Sequence, residues 1–189
     1  MLSAKYKKHF QKFFEPIARV FIKVNPNAIT LIGLLWSFFT VLAFYIENLR
    51  LALLFLLLTS FCDALDGMVA RLSDRVTKFG GYLDSVLDRY SDGMIFLGIM
   101  VYLREKYLLI FLAMMGSFMV SYTRAKAETW IDKCDVGVAE RGERLLILII
   151  ATILANFGIN IFIEAIALIV ILTHITFIQR MLYTRRFIK

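Results

Sequence analysis

The chain has 189 residues, of which 60% are apolar and 20% are charged, and its formal net charge is +7. Its apolar fraction excludes an ordinary soluble domain, and its two cysteines and two histidines are too few and too scattered for a disulfide framework or a zinc site. The charged fraction exceeds what a chain that merely fills lipid needs, so the positions of the charges decide the interpretation.

Residues 2–23 combine an apolar stripe with a basic face. Apolar side chains such as Phe10, Phe14 and Phe21 recur at helical spacing among six Lys and Arg residues. This pattern predicts an amphipathic helix that lies on the membrane surface. A signal peptide is the alternative, but the long basic run and the lack of a small-residue cleavage site argue against it.

Six segments further along are long and apolar enough to cross a hydrocarbon core of about 30 Å, which takes about 20 residues of helix. We place them at 28–46, 51–72, 80–103, 107–127, 141–158 and 160–182. The connectors between them are too short to separate two folded units. The sequence therefore predicts an all-α integral membrane protein with a single domain over 1–189, in which a six-helix transmembrane core over 28–182 follows the surface helix.

Basic residues concentrate at one end of these segments. Eighteen of the 22 Lys and Arg residues flank that end, three flank the other end, and Arg89 lies within a segment. Because basic flanks stay in the cytoplasm, we expect a multi-pass protein of the cell membrane with both termini cytoplasmic. The positive charge then faces anionic lipid headgroups, and we expect no nucleic-acid partner.

Aspartates in two of the membrane segments are the strongest functional signal. Each costs about 2.5 to 3.5 kcal/mol when it is placed centrally in a membrane helix, so their number is not accidental. The spacings of three and four residues put each pair on one helix face, and the short connector makes the two segments antiparallel neighbours. We expect four carboxylates to meet just inside the cytoplasmic edge: Asp63, Asp66, Asp84 and Asp88.

Four carboxylates at one place repel one another unless cations lie between them. All-oxygen ligation favours Mg²⁺ or Mn²⁺ over zinc, which predicts a site for two hard ions. The alternatives are that the aspartates pair with Arg71, Arg75 or Arg89, or that they relay protons. Asp92, one turn beyond the cluster, is interpreted as a supporting or packing residue and not as a ligand.

The pattern Asp63-x2-Asp66-Gly67-x2-Ala70-Arg71-x8-Gly80-x3-Asp84-x3-Asp88 resembles the signature of the CDP-alcohol phosphotransferase family. The resemblance implies a six-helix membrane core behind a surface helix. It implies transfer of a phosphatidyl-type group from a CDP-linked lipid to an alcohol, with release of CMP. It also implies that the four aspartates bind two metal ions, that Asp88 is in addition the general base, and that the protein is a homodimer.

Further residues are assigned to the CDP-lipid by the same resemblance. Three belong to the signature, two open the first membrane segment, and one lies in the connector: Gly67, Arg71, Gly80, Asn27, Thr30 and Thr77. For the glycines, close helix packing is the alternative role. For the start of the first segment, the alternative is a helix cap by Asn25 with Pro26 in the first turn.

The stretches 121–128 and 137–144 are similar to the branch of the family whose acceptor is inositol 1-phosphate. A phosphorylated acceptor needs a cationic pocket. Our candidates for its phosphate are Arg124, Arg144 and Arg180, followed by Lys126 and Arg141. Glu140 and Glu143 would hold these arginines in place, and the alternative is that the basic residues serve only as topology determinants.

These observations predict an enzyme of phospholipid biosynthesis whose active site faces the cytoplasm. It transfers the phospholipid moiety of CDP-archaeol or CDP-diacylglycerol to inositol 1-phosphate, and CMP departs. Within the family, glycerol 3-phosphate is the alternative acceptor, since it too needs arginines. From another class, a cation or proton transporter also has buried aspartates, but a transporter would need a matching set at the far side of the membrane.

Overall fold

The structure, a computed structural model, describes residues 14–188, which are helical apart from short connectors and contain no strand. In chain order, the helices are α1 over residues 14–20, α2 (Pro26–Tyr45), α3 (Leu49–Leu72), α4 (Lys78–Leu103), α5 (Tyr107–Ala127), α6 (Arg141–Asn156) and α7 (Phe162–Arg185). A single 3₁₀ turn, Arg104–Lys106, joins α4 to α5.

Each of the six predicted segments corresponds to one helix, with ends that agree to within three residues. Local chemistry accounts for the ends. The Asn25 side chain accepts a hydrogen bond from the Asn27 N–H, with Pro26 as the first helical residue, so α2 begins at 26 and not at 28. Helix α6 stops two residues before its predicted end because the chain turns through Gly158, whose φ of +84° suits glycine.

Helix α1 is the described part of the predicted surface helix. Its end at residue 20 falls three residues before the predicted end, because the chain turns over residues 21–24 before the cap of α2. Ala18 is fully buried and packs in a cluster with Ile29 and Val69 of the next two helices, whereas Val20 is exposed. The predicted stretch 2–13 lies outside the described residues.

Packing of the helices leaves one end of the bundle polar. Helix α2 packs against α3 and α4, α5 packs against α7, and α6 lies between α3 and α7. The large buried apolar side chains, such as Phe44, Ile99 and Phe162, fill the end at which α2 and α4 finish. The opposite end, where α3 finishes and α4 begins, carries the aspartates, and we call it the carboxylate end.

Three of the helices within residues 14–188 are long and apolar enough to cross a membrane: α2, α3 and α7. Their hydropathy fits the expectation of a membrane protein.

Candidate active site

The carboxylate end brings three of the four predicted aspartates together. One carboxylate oxygen from each of Asp63, Asp84 and Asp88 lies within 4.8 Å of the corresponding atoms of the other two. Asp66 lies outside this group of three, and it is buried, with only 5% of its surface exposed. Its Oδ2 accepts a hydrogen bond from Thr30 Oγ1 at 2.7 Å, so α2 and α3 are joined at this point.

Arg141, the first residue of α6, is the main cationic partner of these carboxylates. Its Nη1 forms an ion pair with Asp63 and lies 2.7 Å from Asp88 Oδ1, and its Nε lies 3.0 Å from Asp92 Oδ1. Of the arginines that the sequence offered as alternative partners, Arg89 lies 3.9 Å from Asp88 Oδ2. The dominant arginine thus comes from a distant helix and not from the neighbouring turn.

Asp92 and Arg144 form a buried ion pair beside Arg141. Asp92 Oδ2 lies 2.7 Å from Arg144 Nη2, and 5% of Asp92 and 3% of Arg144 is exposed. Arg144 Nη1 donates to the carbonyl oxygen of Ala139 at 3.0 Å. Asp92 therefore bridges two arginines of α6, a role that its place one helical turn after Asp88 did not reveal.

A polar cavity of about 430 Å³ opens on one side of the carboxylates. It brings together four of the five residues predicted for the acceptor phosphate, namely Arg124, Arg141, Arg144 and Arg180. Two residues that the sequence analysis did not assign to the acceptor also line it: Arg89 and Ser121. Their positions in the sequence could have indicated both residues, because Arg89 follows Asp88 directly and Ser121 lies three residues before Arg124.

Lys126, the fifth acceptor candidate, lies outside this cavity. It lies two positions after Arg124 in the helix, so it points to nearly the opposite side of α5. There it lines a different, mainly apolar cavity, and its Nζ lies 6.0 Å from the centre of the Trp130 ring.

The arginines of the polar cavity are held by the loop between α5 and α6. Arg124 lies 3.0 Å from both Glu128 and Asp135 and 3.5 Å from Glu140. Glu140 also lies 3.7 Å from Arg180 Nη2, so it contacts two arginines, as the sequence analysis expected of it. For Glu143, the other acid predicted for that role, no ion pair is seen among the described residues.

The same loop is fastened to α7. Thr176 Oγ1 accepts hydrogen bonds from the N–H groups of Val138 and Ala139, both at 3.1 Å. Gly137 has φ +119°, and a Cβ there would collide with the Thr176 side chain, so only glycine suits the position. This attachment places Glu140 beside Arg124 and Arg180, and it places Arg141 beside the carboxylates.

A second cavity, of about 300 Å³, opens beside Asp84. All six residues predicted for the CDP-lipid line it, together with Asp66 and Asp84: Asn27, Thr30, Gly67, Arg71, Thr77 and Gly80. Thr77 has a structural role as well, since its Oγ1 caps α4 by accepting from the Gly80 N–H at 2.9 Å. A Cβ at position 80 would lie 2.9 Å from that oxygen and 3.2 Å from Asn27 Oδ1, so the glycine permits the close approach of α2 and α4.

The donor set suits a hard divalent cation. The three clustered carboxylates offer only oxygen atoms, which is the ligation that Mg²⁺ and Mn²⁺ prefer. The residues present therefore fit a metal ion between the two cavities.

The fold and the site are those of a helical membrane protein in which a carboxylate cluster borders two cavities. The chain belongs to the CDP-alcohol phosphatidyltransferase family, whose family model matches residues 23–182. It is thus an enzyme of the CDP-alcohol phosphotransferase class, a membrane-bound transferase of phospholipid biosynthesis. The transporter alternative is thereby excluded.

Two relatives are similar over most of their length. Archaetidylinositol phosphate synthase of Pyrococcus horikoshii is 42% identical over 158 residues, which cover 83% of this chain and 81% of that protein. A crystal structure of Mycobacterium tuberculosis phosphatidylinositol phosphate synthase with CDP-DAG bound has a TM-score of 0.79 at 28% identity, covering 89% of this chain and 92% of that chain. The complex of that enzyme with manganese and citrate has a TM-score of 0.77 at 29% identity, covering 89% of this chain and 87% of that chain.

Proposed function

We propose that the protein transfers the phospholipid moiety of a CDP-linked lipid, CDP-archaeol or CDP-diacylglycerol, to inositol 1-phosphate and releases CMP. The observation that carries this proposal is a pair of cavities that both border the carboxylate cluster, one at Asp84 and the other at Asp88. One is lined by the signature residues, and the other is lined by five arginines. A CDP-lipid on one side and a phosphorylated alcohol on the other would meet at the carboxylate cluster.

Our assignment of roles follows this division. Asn27, Thr30, Gly67, Arg71, Thr77 and Gly80 bind the CDP-lipid, and Arg124, Arg141, Arg144 and Arg180 bind the acceptor phosphate. The family resemblance adds Asp66 to the clustered carboxylates as a metal ligand. Two bound ions, Mg²⁺ or Mn²⁺, would neutralise the diphosphate and stabilise the charge on departing CMP. Lys126 is no longer a candidate for the phosphate, because it lies outside the arginine-lined cavity.

Asp88 is our candidate for the general base. It is the only member of the clustered three that lines the arginine-lined cavity, where the acceptor hydroxyl would lie. From there it can accept the hydroxyl proton as the oxygen attacks the lipid-side phosphorus and the bond to CMP breaks. The arginines orient the acceptor through its phosphate, which brings the hydroxyl to the carboxylates.

The membrane arrangement belongs to this proposal. We propose one domain with six spans, in which α4, α5 and α6 cross the bilayer beside α2, α3 and α7. The concentration of Lys and Arg supports a cytoplasmic carboxylate end and cytoplasmic termini. A homodimer is proposed from the family resemblance alone.

The deciding experiment measures CMP release by the purified protein from a CDP-lipid with a panel of acceptors. Inositol 1-phosphate should support release, and free inositol should not, because it lacks the phosphate that the arginines recognise. Chelation of divalent metal should abolish release. If glycerol 3-phosphate is the better acceptor, the alternative acceptor within the family is correct. Release of CMP in the presence of chelator would contradict the metal assignment.

A further inference from the structure

Asp92 is the one carboxylate of α4 that the mechanism above leaves without a role. It lies outside the cluster of Asp63, Asp84 and Asp88, and it is almost completely buried at the wall of the arginine-lined cavity. Both of its oxygens are engaged: Oδ1 with Arg141 Nε at 3.0 Å, and Oδ2 with Arg144 Nη2 at 2.7 Å. One carboxylate thus holds two acceptor-binding candidates.

Arg141 contacts two sets of carboxylates, those of the cluster and that of Asp92. Its Nη1 contacts Asp63 and Asp88, while its Nε contacts Asp92. A divalent cation held by the cluster would bind the carboxylates of Asp63 and Asp88 and would repel the guanidinium. Metal and Arg141 must therefore compete, and the bond to Asp92 is the contact that Arg141 can keep when the metal is bound.

Arg144 depends on Asp92 in a different way. Only 3% of its surface is exposed, and its partners are Asp92 and the carbonyl oxygen of Ala139. A buried guanidinium that loses its carboxylate partner becomes an uncompensated buried charge, which is strongly unfavourable. Its orientation at the cavity wall thus depends on Asp92.

The net charge of the cavity makes such positioning matter. Its lining contains five arginines but also four acids, Asp88, Asp92, Glu128 and Glu140, so its formal charge is only +1. A dianionic phosphate is therefore attracted less by overall charge than by guanidinium groups that point into the cavity.

We propose that Asp92 is a positioning residue: it retains Arg141 and Arg144 at the acceptor cavity and thereby releases Asp63 and Asp88 to the metal. The proposal rests on the proposed function in that the cavity receives a phosphorylated acceptor. It predicts that one substitution, far from the CDP-lipid, weakens both metal binding and phosphate binding.

The test variant is Asp92→Asn, which keeps the shape but turns an NH₂ group toward one of two guanidinium donors. Arg141 then shifts toward Asp63 and Asp88 and competes better with the metal. The Mn²⁺ affinity should fall by about 10-fold to 100-fold, the usual effect of removing a residue that orients a metal site. At Mn²⁺ concentrations that saturate the variant, the KM of the acceptor should rise, and the KM of the CDP-lipid should not change.

The double variant Asp92→Asn/Arg141→Gln separates positioning from folding. Removing the competing guanidinium should restore Mn²⁺ affinity, but it should not restore binding of inorganic phosphate to the metal-loaded protein. The matched control is Asp132→Asn, the same chemical change at an exposed residue of the loop between α5 and α6.

The measurement is a titration of the full-length purified protein with Mn²⁺, in which free Mn²⁺ is followed by electron paramagnetic resonance, and then with inorganic phosphate. The proposal is wrong if Asp92→Asn binds both like the wild type. It is also wrong if the double variant fails to regain Mn²⁺, since Asp92 would then only hold the fold together. Failure of the wild type to release CMP with inositol 1-phosphate would contradict the proposed acceptor but not these binding results.

Discussion

Replacing Arg180 with alanine should damage the protein in two separable ways. Only 2% of the residue is exposed, and its guanidinium donates hydrogen bonds to backbone carbonyls of a helix and of a loop. Nη1 donates to the Val120 oxygen of α5 at 2.6 Å, and Nε donates to the Val136 oxygen of the following loop at 2.8 Å. Nη2 is the nitrogen directed to Glu140, at 3.7 Å, in the wall of the acceptor cavity.

The size of the stability loss follows from the two buried carbonyls. A hydrogen bond to a charged group is worth about 1.5 to 3 kcal/mol, and we take the lower value for each bond because water can enter from the cavity. The free energy of unfolding should therefore fall by about 3 kcal/mol, which lowers Tm by roughly 6 to 12 °C in a chain of this size. Loss of the phosphate contact should raise the KM of the acceptor by about 10-fold to 150-fold.

Arg124→Ala is the matched control. The Arg124 side chain is 40% exposed, and its ion-pair partners are the side chains of Glu128, Asp135 and Glu140. Its removal therefore leaves no buried carbonyl without a hydrogen-bond donor. Partly exposed ion pairs contribute about 0 to 1 kcal/mol, so Tm should hardly change, while the KM of the acceptor should rise as in Arg180→Ala. The KM of the CDP-lipid should stay constant in both variants.

Thermal unfolding followed by tryptophan fluorescence measures the loss of stability. CMP release at varied inositol 1-phosphate measures the rise in the KM of the acceptor. An unchanged Tm in Arg180→Ala would refute the reasoning from the buried carbonyls. An unchanged acceptor KM in both variants would leave the arginines as topology determinants. Equal weakening of both substrates would instead indicate collapse of the carboxylate end.

Three further variants test the remaining assignments. Asp84→Asn should abolish metal binding and CMP release with an unchanged Tm, because one anionic ligand is lost and repulsion is relieved; a wild-type metal titration would contradict its place in the site. Asp88→Asn should still bind CDP-lipid with metal but turn over about 10² to 10⁴ times more slowly, as on loss of a general base, whereas loss of that binding would make it chiefly a metal ligand. Gly80→Ala should raise the KM of the CDP-lipid because the new Cβ displaces Thr77 Oγ1, and Gly81→Ala, where a Cβ meets no atom within 4 Å, should have the smaller effect on it.

Helix positions and the signature carboxylates could be predicted from the sequence because both depend on local chemistry. Runs of apolar residues place the helix ends to within three residues, and the cap at Asn25 and the turn at Gly158 account for two of the remaining differences. Spacings of three and four residues place aspartates on one helix face whatever the rest of the bundle does. The expectation that Asp63, Asp66, Asp84 and Asp88 meet required only the short connector between α3 and α4. Three of the four do cluster, and Asp66 lies outside their group.

Side-chain partners across the bundle could not be predicted in this way. Arg141 meets Asp63 and Asp92 because α6 packs on α3 and because Thr176 fastens the preceding loop to α7. Those contacts join residues that lie 78 and 49 positions apart in the chain. No local pattern encodes which of several nearby arginines will reach the carboxylates.

Membrane character and the helices therefore follow from composition and periodicity, and the roles of the signature residues follow from the family resemblance. The division of the basic residues among different sites depends on the tertiary structure. Arg180 is buried against two carbonyls, Arg124 is half-exposed among acids, and Lys126 lies on another side of α5. A Lys or Arg near a helix end favours the cytoplasmic side of the membrane whichever way its side chain points. A phosphate site, by contrast, needs several such side chains to point into one cavity.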